Sequence, residues 1–291
     1  MTLFRYPGGK TKLRKLIHSA LARLQGEIYI EPFFGGGSIG LEYLIYLNPK
    51  MPAWINDKDV GIAALWTAVY KRPKDLIDMV RGYTPHKDDF YAFKDELKSS
   101  KLDPLQRGFK KLVIHQISYS GLGEKAGSPI GGKTQKQADG TDSKYLVGCR
   151  WSPDRLIKCI DLIHKKLAGR LDHGCCTSLD FEKLIPGSGG VMYLDPPYYV
   201  QGPALYVESF SEEDHKRMAR LLSKTKHSWV LSYDICSQIE ALYPAPPNYR
   251  LETDPIACTI RSREQGADKI ATAALRKSEY LISNKELDYG V

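Results

Sequence analysis

Apolar residues along the chain recur with two periods, and the switches between those periods lay out the elements. Leu13, Leu16, Ile17, Ala20, Leu21 and Leu24 follow the three- and four-residue spacing of an amphipathic helix. Ile28-Tyr29-Ile30 is a short strand-like run. Glu31-Pro32-Phe33-Phe34-Gly35-Gly36-Gly37-Ser38 breaks it before an apolar helix that runs through Leu47. Trp54-Ile55-Asn56-Asp57 reads as a second strand. From Gly61 to Lys166 the helical period takes over, and it predicts helices at roughly 60–71, 73–82, 86–98, 103–119 and 152–168. Strand character returns at Leu171–Thr177, Val191–Leu194 and Trp229–Tyr233, with late candidates near Arg250–Thr253 and Glu279–Ser283. Ser211 before Glu212-Glu213-Asp214 marks a helix start.

Strands alternating with helices predict an α/β fold with a doubly wound sheet. The helical stretch between the second and third strands is too long for a crossover, so it reads as an inserted, mostly helical lobe. The expected division is one domain from 1–60 and 171–291, interrupted by a lobe at 61–170. Within the lobe, residues 118–150 form a loop rich in Gly, Ser, Lys and Gln, punctuated by Gly127-Ser128-Pro129 and Gly131-Gly132.

Charge adds direction to this outline. The 42 Lys and Arg against 34 Asp and Glu give +8, and they cluster. The first 26 residues carry six basic side chains and no acid, while Lys98, Lys101, Arg107, Lys110 and Lys111 form a second group. Lys125, Lys133, Lys136, Lys144 and Arg150 stud the glycine-rich loop, as expected for contact with a polyanion such as nucleic acid. Apolar runs too short to span a membrane and an N-terminus without a signal-peptide core predict a cytosolic protein with no membrane partner. Six cysteines with no C-x-x-C spacing read as reduced thiols and predict no metal site. Nothing in the sequence requires more than a monomer, with a transient dimer on DNA as the alternative.

The candidate chemistry lies at strand ends. Val191 to Leu194 must stop at Asp195-Pro196-Pro197-Tyr198, because neither proline extends a sheet. If that strand is central and parallel, its carboxyl end opens onto the ligand crevice of the sheet. An exocyclic amine on a nucleobase is a poor nucleophile, since its lone pair is delocalised into the ring. Asp195 and the Pro196 carbonyl could accept its two N–H groups and localise that pair, and Pro197 brings no N–H to compete for the carbonyl. Tyr198 could stack on the base. The glycine turn Gly35–Gly37 between strand and helix is suited to bring a cofactor against main-chain atoms. It lacks the Gly-Lys-Ser/Thr of a phosphate loop. Gly35, Gly37 and Gly40 do satisfy G-x-G-x-x-G, so a nicotinamide dinucleotide remains open at this point. Asp57 ends the second strand, placed to accept from the ribose hydroxyls of an adenosine cofactor or to cap the next helix. Asp180 and Phe181 could bind and cover an adenine, or form a cap over a buried ring.

Taken together, Tyr6-Pro7-Gly8-Gly9-Lys10, Glu31 to Ser38 and Asp195 to Tyr198, in that order with a long insert before the third, resemble the Dam-type (D12 class) DNA adenine-N6 methyltransferases. The resemblance implies a Rossmann-like sheet and S-adenosylmethionine as cofactor. It implies that Tyr6, Lys10, Glu31, Phe33, Phe34, Gly35, Gly37, Ser38, Asp57, Asp180, Phe181 and Asp195 bind that cofactor, and that Asp195, Pro196, Pro197 and Tyr198 are catalytic. The insert would read the sequence of double-stranded DNA, with Tyr119 as an aromatic wedge and Ser120, Lys125, Lys133, Lys136, Lys144 and Arg150 as further contacts. Ser120 and Gly123-Glu124-Lys125 depart from members that read GATC, which carry Asn and a nearby Arg. The resemblance therefore does not set the target sequence. Methylation of RNA adenine or of DNA cytosine N4, and a non-catalytic nucleic-acid-binding module, are the alternatives.

Overall fold

A computed structural model describes residues 2–4, 9–137, 140–200, 209–254, 256–257 and 276–286. Its centre is a six-stranded sheet of β1 (Ile28–Glu31), β2 (Ala53–Ile55), β3 (Ser188–Leu194), β4 (Lys226–Asp234), β5 (Tyr249–Glu252) and β8 (Glu279–Ser283), in spatial order β2-β1-β3-β4-β8-β5. A separate antiparallel pair joins β6 (Ile256–Ala257) to β7 (Arg276–Lys277). The β2-β1-β3-β4 pairings are parallel, and β8 runs antiparallel to both β4 and β5. From β1 the chain moves outward to β2; from β3 it moves the opposite way to β4. The order therefore reverses between β1 and β3, and at such a switch point a crevice opens beyond the strands' carboxyl ends. Glu31 ends β1, and Asp195 follows β3 into that crevice.

Alternation along each strand splits the core into two layers. Tyr29, Ala53, Ile55, Val191, Tyr193 and Val230 face one side. There they meet α1 (Arg14–Ala22), α2 (Gly40–Glu42, continuing into a π-turn over Tyr43–Leu47), α3 (Val60–Lys71), α4 (Pro73–Gly82), α5 (Asp89–Glu96), α6 (Pro104–Ile117) and α7 (Pro153–Leu167). Ile30, Met192, Leu194, Leu231 and Ile282 face the other, covered by α8 (Glu212–Leu222) and α9 (Ser237–Leu242). The inner strands are apolar on both faces, as a sheet sandwiched between helices requires. The insert shares the first layer: α3 crosses α6 so closely that a Cβ on Gly108 would stand 2.7 Å from the Leu65 Cα.

The expected helices 60–71 and 73–82 are present with those bounds. The helix expected over 86–98 is shorter, Asp89–Glu96. The one expected over 103–119 starts after Asp103, whose carboxylate accepts from Leu105 N and Gln106 N, and stops where Ser118 turns extended. Ser211 and Asp214 form the reciprocal cap that opens α8. Leu171–Thr177 is a correction. It makes only single parallel bridges, Ala53 to Leu171 and Asn56 to Thr177, on the outer side of β2. Gly174, with φ of 60°, turns the chain out of line between them, so a continuous ladder cannot form. Arg261-Ser262-Arg263 lies outside the described residues. Among those residues, no helix is long and apolar enough to cross a membrane, and no group of three or more His, Cys, Asp or Glu could hold a metal.

Candidate active site

On the β1 side of the crevice the glycine turn folds back onto the acid that ends β2. Gly35 and Gly37 have φ of 47° and 66°, the left-handed region that side chains disfavour. A Cβ on Gly37 would stand 2.9 Å from the Phe34 ring. Gly35 N donates to Asp57 Oδ2 at 2.7 Å, Asp59 N donates to Asp57 Oδ1 at 2.9 Å, and Trp66 Nε1 donates to Gly35 O at 2.8 Å. Asn56 ties the turn to the neighbouring loop, donating to Pro32 O and Leu179 O and accepting from Leu179 N. Burial, reinforced by the charge of Asp59, pushes the Asp57 carboxyl up to about 7 against the pull of its two N–H donors and Lys111. Glu31 is buried, accepts from Tyr29 Oη at 2.7 Å, and is held well above the ordinary carboxylate range by burial and by Asp195 and Asp57. Ser38 is half-buried at the start of α2.

Three acids thus crowd one end of the sheet, on Glu31, Asp57 and Asp195. Such a set favours a ligand that brings hydroxyl donors and positive charge. A sulfonium cofactor carrying a ribose and an ammonium fits this set of acceptors.

Asp180 and Phe181 form the edge of the same end. Asp180 accepts from Glu182 N at 3.1 Å and from Arg217 Nη2 at 3.2 Å. Phe181 is buried, with its ring centroid 6.0 Å from Phe33 and the Arg217 guanidinium 4.5 Å from the ring centre. The cap and the buried ring that the sequence offered are both present, and they bring Phe33 and Phe181 together.

On the β3 side, Lys10 Nζ lies 2.9 Å from Asp195 Oδ1, 3.7 Å from Glu279 Oε2 and 4.5 Å from the centre of the Tyr198 ring. Tyr198 Oη donates to Glu279 Oε2 at 2.6 Å. Pro196 and Pro197 are buried beneath. Burial raises the Asp195 carboxyl to about 6, with Lys10 pulling it down and Glu279 pushing it up. Beyond Tyr198 the chain is held by Asp234, which accepts from Tyr199 N at 3.1 Å and Val200 N at 2.8 Å. Glu279 and Asp234 escaped the sequence reading. Their place follows from the pairing: β8 runs antiparallel to β4 and sets Asp234 opposite Glu279, so the first residue of β8 arrives at the carboxyl end of the parallel strands. Tyr6 lies outside the described residues.

The lobe's candidate contacts lie apart from this crevice in sequence and differ in exposure. Tyr119 is 60% exposed, and its neighbour Ser120 is exposed with φ of 57°. Lys125, Lys133, Lys136 and Lys144 are exposed; Lys136 pairs with Asp142 at 2.6 Å, and Lys144 Nζ lies 5.6 Å from the Tyr145 ring centre. Arg150 is half-buried and, with Arg155, Gln116, His115, Phe4 and Thr2, lines a cavity of about 300 Å³.

A parallel sheet with a switch-point crevice, a glycine turn facing a strand-end acid, and an Asp-Pro-Pro-Tyr corner beside it define an α/β methyltransferase. The chain belongs to the D12 class N6 adenine-specific DNA methyltransferases: that family's sequence profile matches residues 6–253. Its reaction is therefore site-specific methylation of adenine N6 in DNA. No curated protein matches the chain.

Proposed function

We propose that the protein transfers the methyl group of S-adenosylmethionine to an adenine flipped out of double-stranded DNA. The cofactor would rest between the Gly35–Gly37 turn and Asp57, with Glu31, Phe33, Phe34, Ser38, Asp180 and Phe181 around it. The insert at 61–170 would act as the target-recognition lobe. When bound, S-adenosylmethionine supplies a methyl group made electrophilic by a sulfonium.

The observation that carries the reading is the set of contacts around Lys10. Lys10 Nζ, held by Asp195 above the Tyr198 ring, supports the reading, because it puts a nitrogen donor next to that carboxylate and that aromatic face. An adenine amine presents the same donors on a flat base. Asp195 Oδ1 and the Pro196 carbonyl would accept from it, localise its lone pair and stabilise the positive charge that grows on nitrogen as the new bond forms. Tyr198, fixed through Glu279, would stack on the ring. Positioning of this kind supplies ~7–11 kcal/mol in well-oriented reactions, so alignment can carry most of the catalysis.

Asp195→Ala tests the reading. Loss of a group aimed at developing charge costs about 10²–10³ in kcat. The variant is expected to bind S-adenosylmethionine and to stay folded, at a lower melting temperature because buried Lys10 loses its nearest carboxylate, while its single-turnover rate of methyl transfer falls by that factor. Retained methylation would refute the assignment.

A further inference from the structure

Lys111 is a charged side chain with only 1% of its surface exposed, where α6 passes the N-terminus of α3. Its stem passes over Gly61, where a Cβ would stand 2.9 Å from Lys111 Cδ. Burying an ammonium there is tolerable only if its charge is matched, and two segments supply the match. Asp59 Oδ2 lies 2.5 Å from Lys111 Nζ, and Glu124 closes on the same nitrogen with both oxygens, at 2.7 and 2.8 Å. Burial disfavours the ammonium, but these two carboxylates outweigh it and hold the Lys111 pKa above its ordinary value.

The two acids belong to different parts of the site. Asp59 caps α3 through Gly61 N and Ile62 N, and its own N–H binds Asp57. Glu124 sits in the turn that follows Tyr119. That turn is also held by His115 Nδ1 against Gly121 O at 2.9 Å and by Gly123 N donating to Ser118 Oγ at 2.9 Å. The ionisable groups that act on Asp57 are Asp59 and Lys111, with Glu31 and Cys176 nearby. Lys111 itself faces Asp59, Glu124 and His115.

We propose that Lys111 is a positioning residue shared by both substrates: through Asp59 it sets the turn and the charge around Asp57, and through Glu124 it docks the turn that presents Tyr119. Glu124 is then a structural counter-ion and not a reader of bases. The inference rests on Asp57 as a cofactor contact and Tyr119 as a DNA contact.

The test uses the full chain with S-adenosylhomocysteine as the cofactor probe and a duplex carrying 2-aminopurine at the methylated position. Ribose hydroxyls donate to an ionised Asp57, so wild-type affinity for the probe falls as pH drops below about 7. Lys111→Met removes the cation that favours the ionised form. The acid limb is expected to move to higher pH, with about tenfold weaker binding at neutral pH. Glu124→Gln leaves Lys111 and Asp59 in place; the limb is expected to stay where it is, while duplex affinity and 2-aminopurine fluorescence on binding fall about tenfold. The double variant Lys111→Met/Glu124→Gln removes one of the two acids, Glu124 and Asp59, that Lys111→Met leaves unpaired. Its melting temperature is expected to recover in part while the displaced limb remains, which a purely structural role would not produce. A folded double variant with the wild-type limb, or Glu124→Gln with wild-type DNA binding, overturns the proposal. Wild-type protein that methylates adenine yet binds the probe with no acid limb refutes the role of Asp57, and the proposal falls with it.

Discussion

Lys10 Nζ and Asp195 Oδ1 are 2.9 Å apart, and the lysine is almost wholly buried. The cation lowers a carboxyl that burial has raised to about 6. Only the ionised form accepts from an amine without also presenting an O–H. Methyl transfer by the native enzyme is therefore expected to fall as pH drops through about 6. In Lys10→Met the lowering influence is gone and the acid limb moves up, by roughly one unit or more, as removal of a close opposite charge does. Single-turnover rates against pH would show it; an unshifted limb would mean that Lys10 does not act on Asp195.

Asp57 gives a stability signature. Its folded pKa, about 7, lies above the ordinary 3.8. A raised carboxyl contributes stability that is full below the unfolded pKa and is lost as pH rises through the folded one. Asp57→Asn does not titrate. Its stability relative to wild type is thus expected to increase between about pH 4 and pH 8, and three units at ~1.36 kcal/mol each bring the total change to about 4 kcal/mol. Urea unfolding of both proteins at the two pH values measures this difference, and a difference that stays constant contradicts it.

The sheet and its crevice were legible because parallel strands buried on both faces carry runs such as Val191–Leu194, and because prolines and glycines stop strands sharply at Glu31 and Asp195. Helix starts were legible where a side chain caps them, as at Asp103 and Ser211. Leu171–Thr177 misled because its apolar content reflects burial beside β2, while Gly174 breaks the ladder that strand character implies. The pairing of Glu279 with Tyr198 spans 81 residues and depends on β8 running antiparallel, which no local pattern encodes. Lys111 read as part of a basic cluster, because charge spacing alone does not tell a solvated lysine from a buried one.

Tyr119 is a large aromatic residue left 60% exposed on a turn whose backbone is pinned to Ser128 and Ser118. Since the ring contributes little to the core, Tyr119→Ala is expected to leave unfolding within about 0.5 kcal/mol of wild type. As a wedge against the base stack it should matter on DNA, where an aromatic contact is worth ~1–3 kcal/mol. Duplex affinity and 2-aminopurine fluorescence are expected to fall together while S-adenosylhomocysteine binding does not change. Loss of stability without loss of DNA binding would remove Tyr119 from the interface.

Asp234 holds the chain just past the Asp195-Pro196-Pro197-Tyr198 corner. Its two oxygens accept from Tyr199 N and Val200 N, at 3.1 and 2.8 Å, so the carboxylate fixes the direction in which the backbone leaves Tyr198. Asparagine has the same shape but only one acceptor oxygen, and its amide nitrogen would face a second donor. One of the two backbone N–H groups then loses its partner, and a hydrogen bond to a charged acceptor is worth ~1.5–3 kcal/mol. If that energy serves the placement of Asp195 to Tyr198, Asp234→Asn lowers the single-turnover rate by about 10- to 100-fold. Cofactor affinity should be unaffected, because Glu31, Asp57 and the glycine turn, the residues proposed to hold the cofactor, sit on the β1 and β2 side of the switch point. The measurement is the transfer rate at saturating cofactor beside the dissociation constant of S-adenosylhomocysteine. A fall in both would place the effect in the sheet as a whole; a fall in the rate alone makes Asp234 the residue that aims the corner.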